Sequence, residues 1–194
     1  MSASALARHF DAIVIGASAG GVAALRDVLG ALPADLPVPV LIVIHLPRDR
    51  PSSISEVLDG DCALPVREAI DKQPLLPGTV TFAPPDYHLL VEDRDTLALS
   101  VDEPVLFSRP AIDPLFESAA DTFGERLLAV LLTGASSDGS QGVAAVREHG
   151  GTAWIQQPAD AVAPLMPASA LAHAGADAVL TLDALCQRLA EFHP

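Results

Sequence analysis

The sequence predicts an α/β fold: a doubly wound, mostly parallel sheet with helices on both faces and an added antiparallel hairpin. Three observations predict it. Apolar runs such as Val40-Leu41-Ile42-Val43-Ile44 alternate along the chain with segments whose apolar residues recur at helical spacing. The runs are apolar throughout instead of alternating with polar residues, as in parallel strands covered on both faces. Between residues 60 and 101 the pattern changes to short β-like pieces separated by turn residues, which is hairpin patterning.

Taken in order, residues 1–10 form a short lead expected to be disordered, and residues 11–194 a single domain. The first strand, Ala12-Ile13-Val14-Ile15, stops at Gly16-Ala17-Ser18-Ala19-Gly20-Gly21 and passes into a helix with Val22, Leu25, Val28, Leu29 and Leu32 at helical spacing. Pro33 ends that helix. The second strand, 40–44, ends in His45-Leu46-Pro47 and a basic loop with Arg48 and Arg50, followed by a short helix near Ser53–Leu58. The hairpin pieces are 65–68, 79–82, 88–92 and 97–100, with turns such as Pro77-Gly78 and Asp93-Arg94-Asp95. Asp113-Pro114 opens a helix with a capping acid and a first-turn proline, closed by Gly124. Strands follow at 126–132, 152–155 and 177–180. Helices follow through Val143 and Val146, around Met166-Pro167, and over 182–192.

Bulk composition narrows the function classes. A chain of 194 residues is long enough for a sizeable core. Its net charge of −14 argues against a nucleic-acid partner, which needs a basic footprint. The two cysteines, Cys62 and Cys186, lack paired spacing, so reduced thiols in a cytoplasmic protein are expected, and no zinc or other metal signature is present. No signal peptide is discernible, and the apolar runs are far too short to insert in a bilayer.

The chemistry concentrates at strand ends. Ser18 stands in a Gly16-x-Ser18-x-Gly20 turn after the first strand, a pattern that can expose a nucleophilic serine beside free helix-opening amides. The same turn can be a simple serine cap, or a dinucleotide turn lacking its middle glycine. His45 follows the second strand, and Asp138 lies a few residues beyond the strand at 126–132. In a parallel sheet these ends share one edge, where ligands bind. Serine, imidazole and carboxylate are the parts of an activated hydroxyl. The chain order Ser, His, Asp differs from that of α/β-hydrolases, but a triad is defined by geometry and not by order. Structural alternatives stand beside each assignment: His45 bonded to a loop carbonyl, Asp138 in an Asp-Gly turn or cap, Asp113 as a cap. His88 is the one other credible base.

The stretches Gly16-Ala17-Ser18-Ala19-Gly20-Gly21, Ile44-His45-Leu46-Pro47 and Leu132-Thr133-Gly134-Ala135-Ser136-Ser137-Asp138-Gly139 resemble the catalytic domain of CheB-type chemotaxis protein-glutamate methylesterases. So do Ala83-Pro84-Pro85-Asp86-Tyr87-His88-Leu89, the run from Ser108 to Ala120, and Met166-Pro167 followed by Gly175-Ala176-Asp177. The resemblance runs from about Asp11 to Leu189. It implies Ser18 as nucleophile, His45 as general base and Asp138 as the acid that orients it. Ala19, Gly20, Gly21 and Ala135 then surround the oxyanion and substrate region, and Arg109 is placed to meet acidic residues flanking the target. It further implies hydrolysis of glutamate methyl esters, and in some members deamidation of glutamine, on the cytoplasmic helices of chemoreceptors, without metal or organic cofactor. Family members usually carry an N-terminal receiver domain. Here the first strand begins about ten residues in, so control by a separate receiver-domain protein is one expectation. Ala19 replaces a common threonine and Ala135 a common methionine. These two alanines support the alternative of a non-catalytic module that grips receptor or kinase helices.

Overall fold

The computed structural model describes residues 10–45 and 52–192. Seven strands form one parallel sheet in the order β3-β4-β2-β1-β7-β8-β9. They are β1 (Ala12–Ala17), β2 (Val40–Ile44), β3 (Val66–Glu68), β4 (Val80–Phe82), β7 (Leu127–Leu131), β8 (Thr152–Gln156) and β9 (Ala178–Leu180). β5 (His88–Val91) and β6 (Leu97–Ser100) make a separate antiparallel pair. The helices are α1 (Gly21–Ala31), α2 (Ile54–Asp59), α3 (Ile112–Phe123), α4 (Ser140–Glu148), α5 (Leu165–Ala174) and α6 (Leu182–Ala190).

The uniformly apolar strands bury alternate residues in two layers. Ile13, Ile15, Ile42 and Val130 face a core shared with Leu25, Val28 and Leu29 of α1 and Leu185 and Leu189 of α6. Val14, Leu41, Val43 and Ala129 face the opposite core, built from α3, α4, α5 and the hairpin. Every residue of β1, β2 and β7 is buried. This is the doubly wound arrangement that runs without alternation predict.

One local expectation changes. The pieces at 65–68 and 79–82 are not hairpin strands: β3 pairs with β4 and β4 with β2, all in parallel register. Among the described strands, β5 and β6 are the pair that turns back on itself. That hairpin packs through Leu89, Val91 and Leu97 on the α3 side of the sheet. The Ser118 hydroxyl of α3 accepts a bond from the Val91 amide. Of the expected disordered lead at 1–10, residues 1–9 lie outside the described residues, as does the basic loop with Arg48 and Arg50, whereas Phe10 is buried in the core against Phe192.

The chain leaves β1 toward β2 on one side and returns through β7 on the other. The crevice at the carboxyl ends of these strands is a topological switch point, where open α/β sheets bind ligands.

Candidate active site

β1 is held centrally between β2 and β7, and its end delivers Ser18 into this crevice. The Ser18 amide donates to the Thr133 carbonyl at 2.9 Å, and its own carbonyl accepts from the Gly21 amide at 2.7 Å, which closes the turn. Gly20 is the N-cap of α1 with φ +78°, a left-handed conformation that glycine adopts without steric cost. A β-carbon there would lie 2.7 Å from that of Val162. The amides of Ala19 and Gly20 donate to no other group among the described residues, which leaves two donors open beside the serine.

His45 is set by the neighbouring strand. Register pairs Ala17 with Ile44, and the His45 amide donates to the Ala17 carbonyl at 3.2 Å. Residues 18 and 45 are thereby the next pair along, at the spacing of adjacent strands, roughly 5 Å. The His45 Nε2 lies 2.7 Å from Asp138 Oδ2, so Nδ1 is the ring nitrogen left for another partner. Among the described residues the Ser18 hydroxyl and the His45 ring are not hydrogen-bonded to each other.

Asp138 is fully buried, and both of its carboxylate oxygens accept hydrogen bonds. Besides His45, it accepts the amides of Ile112 at 2.6 Å, Asp113 at 3.0 Å and Gly139 at 2.9 Å. The first two are amides at the start of α3, whose own N-cap, Ala111, offers no side-chain bond. Asp138 thus caps a helix from outside it, where the helix dipole also favours negative charge. Burial pushes this carboxyl up. Bonds from His45 and from the Ile112 and Asp113 amides outweigh that and hold it below the ordinary range.

Asp113 reciprocates. It sits in the first turn of α3 and not at its N-cap, as the Asp113-Pro114 pattern suggested. Its Oδ1 crosses to accept the Gly142 amide of α4 at 2.7 Å. Each acid therefore serves the other's helix. Burial first of all, and then the negative charges of Asp138 and Glu117, push the Asp113 carboxyl up to about 7, against a lowering by the Gly142 amide.

A carboxyl held higher in the fold than in the unfolded chain stabilises at low pH, and that contribution fades as pH rises through the folded value. Removing the charge by Asp113→Asn is accordingly expected to raise Tm more at pH 8 than at pH 5, by a difference of several degrees. Equal changes at both pH values would contradict the assignment.

With the geometry in hand, the chain compares closely with known proteins. The model of the CheB methylesterase family matches residues 13–189. The chain belongs to the CheB methylesterase family. These are carboxylic ester hydrolases. A Leptospira interrogans (strain Fiocruz L1-130) protein, provisionally named a protein-glutamate methylesterase/protein-glutamine glutaminase, is 41% identical over 92% of this chain and 93% of its own length. A Pseudomonas syringae pv. syringae protein-glutamate methylesterase/protein-glutamine glutaminase is 34% identical over 98% of this chain but only 49% of itself, so the chain spans about half of that relative. The crystal structure of the Thermotoga maritima CheB methylesterase catalytic domain superposes with a TM-score of 0.89 at 32% identity, covering 95% of this chain and 99% of that one.

Within this CheB methylesterase fold, the remaining candidates divide by what they touch. Ala19 and Ala135 are exposed at the crevice, whereas Gly21 is buried beneath it. Arg109 has its charge spent inside the chain. Its guanidinium donates to Asp86 Oδ1 at 2.7 and 3.0 Å and to the carbonyls of Val101 and Asp102. It ties the residues after the hairpin to the loop before α3 and presents a committed cation. His88 is also structural. Its Nδ1 accepts the Ala111 amide and its Nε2 lies 3.2 Å from the Glu103 carbonyl, so both ring nitrogens are occupied by backbone.

Sequence reasoning missed Thr133, which laces the crevice together. Its hydroxyl donates to the Ala19 carbonyl at 2.9 Å and accepts the Ala163 amide at 2.8 Å, while its amide donates to the buried Gln156 side chain. A polar residue directly after a buried strand was the available signal. Among the described residues no group of three or more metal-ligating side chains occurs, and no helix is long and apolar enough to cross a membrane.

Proposed function

We propose that this chain is a serine hydrolase that removes the methyl ester from glutamate side chains of chemoreceptors, and deamidates glutamine in the same site, through Ser18, His45 and Asp138. The observation that carries the reading is the 2.7 Å contact between His45 and buried Asp138 on the sheet edge where Ser18 emerges. The names of the relatives supply the substrate class.

The steps follow from the donors and acceptors present. Asp138 holds Nε2 as its protonated nitrogen, so the basic lone pair is on Nδ1. Nδ1 takes the Ser18 proton as the oxygen attacks the γ-carbonyl of the ester. The amides of Ala19 and Gly20 receive the developing oxyanion, a role worth about 3–4 kcal/mol for one well-placed donor. The imidazolium, stabilised by Asp138, returns its proton to the departing methanol. Water then enters, gives a proton to His45 and cleaves the glutamyl-serine ester, and His45 passes that proton to the departing Ser18 oxygen, which restores the hydroxyl and the neutral imidazole. With glutamine the leaving group is ammonia and the later steps are the same. The partners in this reading are the methylated cytoplasmic helices of chemoreceptors, with a separate receiver-domain protein as regulator.

Fluorophosphonate labelling tests the site, because only an activated hydroxyl reacts. One label per chain, mapped to Ser18 and absent in Ser18→Ala, is expected together with methanol release from a methylated receptor fragment. A chain that stays unlabelled yet binds the fragment is a binding module of the same fold, and the hydrolase reading fails. Labelling with turnover of a p-nitrophenyl ester but none of the receptor fragment would retain the triad and discard the substrate.

A further inference from the structure

The catalytic proposal leaves one buried acid unused. Asp113 is 6% exposed and Asp138 is fully buried, and the Asp113 amide donates to Asp138 Oδ1 at 3.0 Å, which sets the two carboxyls side by side. Both oxygens of Asp138 already accept donors: His45 and the Ile112 amide on Oδ2, the Asp113 and Gly139 amides on Oδ1. On Asp113 the one amide donor is that of Gly142, to Oδ1. Two adjacent buried carboxyls cannot both carry charge cheaply. The one that accepts more hydrogen bonds, Asp138, keeps the charge, and its neighbour is left with the proton.

We propose that Asp113 is a positioning residue for the reaction: a carboxylic acid that donates its proton to Asp138 and so fixes the orientation in which Asp138 holds His45. The inference rests on the triad reading above. Asp113 accepts from Gly142 with one oxygen and donates with the other, and Asp138 remains an anion facing His45. The groups that face Asp113 are compatible with a proton there. Asp138 lies on the β7–α4 loop and Glu117 one turn along α3, and α4 contributes Gln141 and Ser140. From α5, His173 lines the same cavity. Among the described residues no arginine or lysine lines it.

That cavity, of about 420 Å³, gives the proton a way in and out without parting Asp138 from His45. Ser137 and Ser140 line it beside Asp113, and the Ser140 hydroxyl is buried with no hydrogen-bond partner among the described residues. When Asp113 loses its proton to that side, two carboxylates confront each other behind His45 and the orienting bond is gone.

The test compares wild type, Asp113→Asn and Asp113→Ala. Asparagine reproduces the protonated acid, with one acceptor for Gly142 and one donor for Asp138, but it cannot ionise. The readouts are the pH dependence of Ser18 labelling and the carboxyl ¹³C titration of Asp113. The wild-type labelling profile is expected to show one more ionisation than that of Asp113→Asn. Asp113→Ala should lose at least tenfold in labelling rate at pH 6, and Asp113→Asn should restore most of it. Profiles of the same shape in wild type and Asp113→Asn, or an alanine variant as fast as the asparagine one, would overturn the proposal. If Ser18 does not label in any chain, the triad reading fails. The ¹³C titration then still decides the carboxyl pair: an Asp113 ionised well below neutral pH rules out the shared proton.

Discussion

Asp138→Asn is expected to lower kcat for ester hydrolysis by about 10⁴-fold, the scale seen when a triad acid becomes an amide. The reason is which way the new amide must point. Oδ1 of Asp138 receives two backbone amides, those of Asp113 and Gly139, whereas Oδ2 receives one, that of Ile112, together with His45. Placing the NH₂ at the Oδ1 position opposes two donors. Placing it at Oδ2 opposes one backbone donor and His45. The second choice is the cheaper, and it presents a donor to Nε2. The imidazole must then carry its proton on Nδ1, so the nitrogen left to receive the Ser18 proton is no longer basic. One buried amide still loses its acceptor, at a cost of about 1–3 kcal/mol, so a lower Tm should accompany the loss of rate. Stopped-assay kcat with a methylated receptor fragment, measured beside a thermal melt, checks both. A variant within tenfold of the parent rate would remove Asp138 from the mechanism.

How far these features could be read in advance depended on whether the determining contact was local. β1, β2 and β7 were legible because burial on both faces leaves an unbroken apolar run, and such a run identifies itself. That Ser18 and His45 follow β1 and β2 directly and Asp138 lies just beyond β7 could be read from the strand runs alone. β3 and β4 were not legible as parallel strands. They are three residues each, and β3 is only partly buried, so nothing local distinguishes a parallel edge from a hairpin arm. The acids at the helix starts misled for a related reason. Asp113-Pro114 has the composition of a local cap, yet the carboxyl reaches Gly142, while Asp138 caps a helix 25 residues upstream. Capping between helices leaves no spacing signal. Arg109 and His88 looked available because their partners, Asp86, the Val101 and Asp102 carbonyls, Glu103 and Ala111, are brought to them only by the loops between the hairpin and α3.

The crossing of α3 and α4 that carries both acids also sets the last expectation. Gly142→Ala should destabilise the protein by about 3 kcal/mol, although alanine is the better helix former by about 1 kcal/mol. A β-carbon at 142 would lie 2.5 Å from that of Phe116 and 3.3 Å from the Asp113 α-carbon. Neither atom can rotate aside, so the helices must separate, and overpacking of this kind typically costs about 1–3 kcal/mol. Separation also stretches the Gly142–Asp113 bond and shifts the α3 amides that hold Asp138, so kcat should fall with stability. Gly30→Ala provides the opposite sign in the same molecule. That glycine lies in α1, and its β-carbon would meet only the Asp61 carbonyl oxygen, at 3.5 Å. Helix propensity then acts alone, and Tm should rise by roughly 2 °C, against a fall of roughly 5–10 °C for Gly142→Ala. Thermal melts of the two variants decide the matter. If both raise Tm, the close approach of α3 and α4 is not what positions Asp138.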